Sequence, residues 1–137
     1  MGQAQIRRRG QGIALLAFGT MVAPAETVAE ELDATLVNMR FVKPLDEACI
    51  REMAETHDAI VTLEENMVAG GAGSAVAETL AELDLRPRLL QIGLADHFVD
   101  HGERDEQLAL VGLDTDGIRQ RIHDWRDRTV ASPATSE

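Results

Sequence analysis

Cysteine is almost missing from this chain: its 137 residues include one, Cys49. An internal disulfide is thereby excluded, and because Cys49 lies in an apolar-periodic stretch it reads as a small buried hydrophobe rather than a reactive thiol. Long apolar runs are missing as well. The longest, Ile13–Phe18, falls far short of the roughly 20 residues that cross a bilayer, so no transmembrane helix is expected. Arg7, Arg8 and Arg9 precede that run as the basic start of a signal peptide would, yet the run continues into a helix-like pattern without a convincing cleavage site. The expectation is a cytoplasmic protein with no membrane partner. Positive charge is the third deficit. Thirteen basic residues face 24 acidic ones, a net charge of −11, which opposes long-range attraction to a polyphosphate backbone and speaks against nucleic acid as a partner. All the charge of the first twelve residues is basic, carried by Arg7, Arg8 and Arg9, so the basic start and the acidic body can attract each other.

What remains is an ordinary globular composition. Hydrophobic residues make up 45% and charged residues 27%, which separates the chain from disordered sequences, and its length suits one domain with one core.

Read along its length, the chain alternates strand and helix patterns. Gln5 to Arg9, closed by Gly10 and Gly12, suits a short edge strand. Ile13–Phe18 is apolar throughout, as in a strand buried on both faces of a parallel sheet. Thr20 then offers an N-cap for a helix in which Val22, Ala25, Val28, Ala29 and Leu32 recur at helical spacing, with Glu26, Glu30 and Glu31 opposite. Thr35–Met39 reads as the next strand, Asp46 can cap a helix carrying Ile50, Met53 and Ala54, and Ala59–Leu63 reads as a third. A helix with Val76, Ala77, Leu80 and Leu83 on one face follows, and then a short strand over 89–93. This order demands right-handed crossovers and a three-layer α/β fold: a mostly parallel five-stranded sheet whose first edge strand is antiparallel. Farther on, 105–111 suits a short helix. Asp114 or Thr115 caps another, in which Ile118, Ile122 and Trp125 fall at i, i+4 and i+7, so Trp125 is read as a packing anchor. Residues 129–137 lack periodicity and are expected to fray.

Three groupings could carry chemistry. Gly70-Gly71-Ala72-Gly73-Ser74 lies between a strand and a helix, where backbone N–H groups and the helix dipole can hold an anion. It lacks the Gly-Lys-Ser/Thr of a phosphate loop and the third glycine of a dinucleotide fingerprint, so tight turning is the stronger reason for its glycines. Glu64, Glu65 and Asn66 end the preceding strand at the carboxyl edge of the sheet, where open α/β folds place functional groups. Neighbours on a strand face opposite ways, which argues against a paired acid and base. His97 and His101, flanked by Asp96 and Asp100, have a metal-compatible spacing but no identified third ligand, and Gly93 and Gly102 mark the segment as a loop. His57, at a helix end, and His123, on a polar helical face, are read as structural. Ser74 lacks the Gly-x-Ser-x-Gly elbow of a hydrolase.

Taken in order, these motifs closely resemble one family. The residues concerned are 13–22, Val37 to Asp46 with Arg40-Phe41-Val42-Lys43-Pro44, Leu63-Glu64-Glu65-Asn66 with the 70–76 stretch, and Gly93-Leu94-Ala95-Asp96-His97-Phe98 with His101-Gly102. Together they are similar to the C-terminal domain of 1-deoxy-D-xylulose-5-phosphate synthases, from about Gln5 to Ile122. The resemblance departs from the family at Ala95, often proline there, and at Cys49, usually aliphatic. It implies a transketolase C-terminal-like domain over residues 1–128, with 129–137 as a flexible tail. It also implies a thiamine diphosphate-dependent transferase that joins pyruvate to D-glyceraldehyde 3-phosphate with loss of CO2, for isoprenoid, thiamine and pyridoxal synthesis. In that family the cofactor, its magnesium and the catalytic residues belong to upstream domains. This chain, which has no Gly-Asp-Gly with a later Asn-Asn, is accordingly expected to hold no catalytic, cofactor-binding or metal residue and to be inactive alone. Its partners are expected to be those upstream domains and a second subunit, met through Glu64, Glu65, Asn66, Gly70, Gly71, Gly73, Asp96, His97 and His101. Two alternatives stand beside this one: the equivalent domain of a transketolase or 2-oxo acid dehydrogenase beta subunit, and a free-standing anion-binding module.

Overall fold

The computed structural model describes residues 4–40, 45–64, 72–92 and 115–135. Five strands form one sheet in the order β1 (Gln5–Arg8), β3 (Thr35–Asn38), β2 (Ile13–Ala17), β4 (Ala59–Leu63), β5 (Arg88–Ile92). β1 runs antiparallel to β3 and every other pairing is parallel, so the mixed three-layer arrangement expected from the sequence is present. The central strands β2 and β4 are buried at every position because helices cover both of their faces, which is why neither shows an alternating pattern.

Crossover direction decides which face each helix takes. From β2 the chain steps through α1 (Val22–Leu32) to β3 on one side. It then returns past β2 through α2 (Glu47–Thr56) to β4, and onward through α3 (Ala72–Glu82) to β5. Right-handed crossovers in opposite directions put α1 on one face and α2 with α3 on the other. The two cores match. Leu15, Val28, Leu36, Val61 and Ile92 fill the α1 face, where Ile118 and Ile122 of α4 (Thr115–Thr135) join them, and Leu16, Val37, Ile50, Met53, Ile60 and Val76 fill the other. Burying each of these large side chains is worth about 1.5–3 kcal/mol against exposure, so both helical layers are held chiefly by this packing.

Local chemistry sets the helix ends. Asp46 caps α2 by accepting from Cys49 N at 3.0 Å, as its position predicts, and its second oxygen accepts from Ala4 N at 2.8 Å. α1 stops at Asp33, which turns left-handed at φ 54°, and the N–H of Ala34 reaches back to the Ala29 carbonyl at 2.9 Å. Asp84 does the same after α3, at φ 60° with Leu85 N on Leu80 O. His57 closes α2: its Nδ1 meets the Met53 carbonyl at 3.1 Å and its Nε2 meets Thr35 Oγ1 at 2.7 Å, tying the helix end to β3.

Two local expectations need amending. Thr20 does not cap α1: it sits within a 3₁₀ turn, Gly19–Met21, and Met21 precedes the helix with no side-chain cap bond, because the tight turn itself uses the first free groups. Leu83 lies beyond the end of α3 at Glu82. The backbone of α4 runs on to Thr135. The short helix expected over 105–111 lies outside the described residues.

The basic start meets the acidic body as its charge suggests. Arg7 pairs with Glu26 at 2.5 Å, Arg8 with Asp33 at 3.4 Å and Arg9 with Glu52 at 3.3 Å. Arg8 also donates to the carbonyls of Ala29 and Ala34 at the end of α1, where a cation suits the helix dipole. These pairs are solvent-exposed and guide the edge strand more than they stabilise it.

Candidate functional site

In an open α/β sheet the place for a site is the carboxyl edge, where neighbouring strands send their connections to opposite faces. Here that point lies between β2, which leads to α1, and β4, which leads to α3. Beyond the strand ends, Phe18 N donates to Leu63 O at 2.9 Å and Glu64 N to Ile92 O at 3.1 Å, so the ladder carries Glu64 rigidly to the edge.

Glu64 is only 2% exposed, a buried carboxylate. Such a charge is costly unless it is bonded, and this one is. Its Oε1 accepts from Ala72 N at 2.7 Å and its Oε2 accepts from Gly73 N, so the side chain caps α3 from eight residues upstream. Helix dipole and carboxylate favour each other there. Gly73 makes the approach possible. A Cβ at that position would stand 2.8 Å from Thr62 Oγ1, 2.9 Å from Gln91 Oε1 and 2.9 Å from Glu64 Oε2, closer than a carbon tolerates. Thr62 and Gln91 are register partners on β4 and β5. With Glu64 they form a buried polar patch beneath the first turn of α3, in which Thr62 Oγ1 and Gln91 Oε1 have no hydrogen-bond partner among the described residues.

This arrangement bears directly on the anion reading of the 70–74 stretch. The Ala72 and Gly73 N–H groups that would hold a phosphate are already bonded to a carboxylate, whose charge would repel one. The described residues therefore do not fit the diphosphate of thiamine diphosphate, and no group of three or more His, Cys, Asp or Glu gathers among them for a metal ion. A groove of about 230 Å³, lined by Leu80, Leu85, Pro87 and Leu89, lies at the opposite end of the sheet, below the roughly 300–1,000 Å³ usual for small-molecule pockets.

Of the residues expected from sequence, Glu64 and Gly73 come together at this edge; Glu65, Asn66, Gly70, Gly71, Asp96, His97 and His101 lie outside the described residues, as does Ala95. Arg40 also stands at the edge, past β3, left-handed at φ 62° with its N–H on Asn38 Oδ1 at 3.0 Å. Sequence reasoning missed Thr62 and Gln91. The available signal was two polar residues interrupting otherwise apolar strands. Cys49 is buried, and burial, with smaller contributions from Asp46 and Glu52, pushes its thiol up to about 11, which leaves it an unreactive packing group at neutral pH.

With this sheet order goes a match of residues 2–118 to the family model for the transketolase C-terminal domain, and the chain belongs to that family. Among its relatives it is most informatively similar to 1-deoxy-D-xylulose-5-phosphate synthases. That of Thioalkalivibrio sulfidiphilus is 58% identical over 94% of this chain and 21% of its own length. Those of Alkalilimnicola ehrlichii and Ralstonia nicotianae are 57% and 54% identical over 93% and 97% of the chain. The chain thus spans about a fifth of the length of these relatives. In structure it is similar to a split-gene transketolase described as an inactive beta4 tetramer, with TM-score 0.80 and 30% identity over 90% of this chain and 41% of that one. A transketolase variant from Pichia stipitis shares the fold, with TM-score 0.60 at 17% identity over 87% of this chain and 17% of that one.

Proposed function

We propose that this chain is the assembly domain of a 1-deoxy-D-xylulose-5-phosphate synthase. Such an enzyme is a thiamine diphosphate- and magnesium-dependent transferase that condenses pyruvate with D-glyceraldehyde 3-phosphate and releases CO2. The observation that carries the reading is the match of nearly the whole chain, at 52–58% identity, to about a fifth of enzymes so named. The carboxyl edge supports it, because the helix start that could have bound a phosphate is closed by the protein's own Glu64. The same bond argues against a free-standing anion-binding module. The domain as proposed comprises residues 1–128. Its partners are the remaining domains of the synthase and a second subunit in a cytoplasmic homodimer, reached through the carboxyl-edge connections that include Glu65, Asn66, Asp96, His97 and His101. Cofactor and catalytic groups belong to the remaining domains, so the chain alone is inactive.

Turnover of pyruvate and D-glyceraldehyde 3-phosphate with thiamine diphosphate and magnesium tests this, measured with the chain alone, with the separately produced remainder of the synthase, and with both mixed. Activity only in the mixture is expected. Turnover by the chain alone would place the catalytic centre here, and a remainder fully active without the chain would remove the assembly role.

A further inference from the structure

We propose that His57 is a proton-operated latch at the amino end of the sheet: the neutral imidazole holds Gly10, in the turn between β1 and β2, against β3 through the Thr35 hydroxyl, and the imidazolium frees it. Each hydrogen in this run of bonds follows from its partners. Thr56 Oγ1 donates to the Glu52 carbonyl at 2.7 Å, so its proton is committed, and at 2.8 Å from His57 Nδ1 it can only accept. The Met53 carbonyl, 3.1 Å from the same nitrogen, is an acceptor too. Nδ1 therefore carries the proton of the neutral ring. Nε2 is left to accept, and Thr35 Oγ1 donates to it at 2.7 Å. The oxygen of that hydroxyl in turn accepts from Gly10 N at 2.8 Å. The turn after β1, the start of β3 and the end of α2 thus meet at one side chain that is 1% exposed.

Protonation reverses one link. With a hydrogen on both ring nitrogens, Nε2 also donates to Thr35 Oγ1, and the hydroxyl proton loses its acceptor where water does not reach. The ring itself stays, because its Nδ1–H faces the Met53 carbonyl in the last turn of α2, where a cation suits the helix dipole. Gly10 is the partner that yields. It is half-buried, so its N–H can turn to solvent while the Thr35 proton takes the direction it vacates. The charges around the latch have partners of their own: Glu52 has Arg9 at 3.3 Å, Glu55 has Arg51 at 3.5 Å and Asp33 has Arg8 at 3.4 Å. Asp58, next in the chain, ties the same turn by its N–H on Gly12 O at 2.8 Å. None of these carboxylates pairs with His57 among the described residues, so the charge that changes at the latch is that of the imidazole.

An NMR titration of the full chain tests this. Nitrogen shifts and two-bond couplings of the imidazole are expected to show the Nδ1–H tautomer at alkaline pH. As pH falls through the His57 midpoint, the protection of the Gly10 amide against exchange, corrected for the intrinsic rate at each pH, is expected to fall about tenfold, the scale of one lost hydrogen bond, while Val61 inside β4 does not follow it. His57→Gln is expected to abolish the step. Thr35→Val is expected to leave Gly10 poorly protected at every pH, and Asp58→Asn to keep the step, which separates the imidazole from its neighbouring carboxylate. An Nε2–H tautomer, a Gly10 amide blind to the His57 titration, a step that survives in His57→Gln or one that vanishes in Asp58→Asn overturns the latch. Should a latch variant fail to fold, the tautomer and the Gly10 profile of the unaltered chain decide the matter.

Discussion

At the scale of single residues, the structure turns on side chains whose bonds cross the sequence. Gly73 is the sharpest case. Gly73→Ala puts a methyl within 3 Å of three oxygens and is expected to destabilise by about 1–3 kcal/mol, measured by urea unfolding, where Ala is otherwise the better helix former. Cys49 gives a second test. A thiol whose folded pKa is raised from 9.0 to about 11 contributes stability that is complete below pH 9 and lost as pH rises toward 11. Cys49→Val should accordingly flatten the alkaline limb of a stability profile, and the native thiol should react with a disulfide reagent at pH 8 only after denaturant is added. The sequence showed Asp46 as a cap because cap and helix are neighbours. It also placed Glu64 and Gly73 among the candidates, yet not their relation. An eight-residue reach leaves no local signature, and the polar pair of Thr62 and Gln91 becomes a pair only through strand register.

At the scale of elements, α4 shows what amphipathic spacing can and cannot tell. Ile118 and Ile122 are fully buried against the α1 face, and Trp125 packs beside them with the Arg88 guanidinium 5.7 Å from its ring centre, as the i, i+4, i+7 pattern implies. Ile122→Ala is expected to cost about 2–4 kcal/mol and to raise amide exchange along α4 first. The spacing gave no hint of the helix continuing to Thr135, because residues 129–135 carry no apolar periodicity. Nor could it show Arg119 reaching across to α1, where it holds both oxygens of Glu31 at 2.5 and 2.9 Å, while also donating to Asp116 of its own helix at 2.7 Å. The hydrogen bond from Arg119 lowers the pKa of Glu31 below its ordinary 4.5. A depressed carboxylate stabilises above its unfolded pKa and loses that contribution as pH falls through the folded value. Acid unfolding monitored below pH 4.5 should therefore be less steep in Glu31→Gln than in the unaltered chain.

For the whole molecule, the fold class followed from the alternation of patterns because crossover handedness leaves few choices once the strands are known. What the chain does was legible only through the family motifs, since its charge, size and lone cysteine describe many soluble domains equally well. The acidic excess nevertheless has a molecular consequence. At −11 overall, association with another acidic surface is slowed by repulsion, so the rate at which the chain joins an acidic partner, such as an acidic remainder of the proposed synthase, should rise with added salt.

The central strand sets the timetable of folding. β2 is made before β4, one of its two flanking strands, and Ile13 waits for Ala59 as its register partner. During synthesis the most hydrophobic strand of the chain therefore emerges long before its sheet can close. A nascent chain halted before residue 59 holds β1, β2 and β3 with one edge of β2 bare, a ready template for pairing with another chain, and chaperone dependence should be greatest in that window.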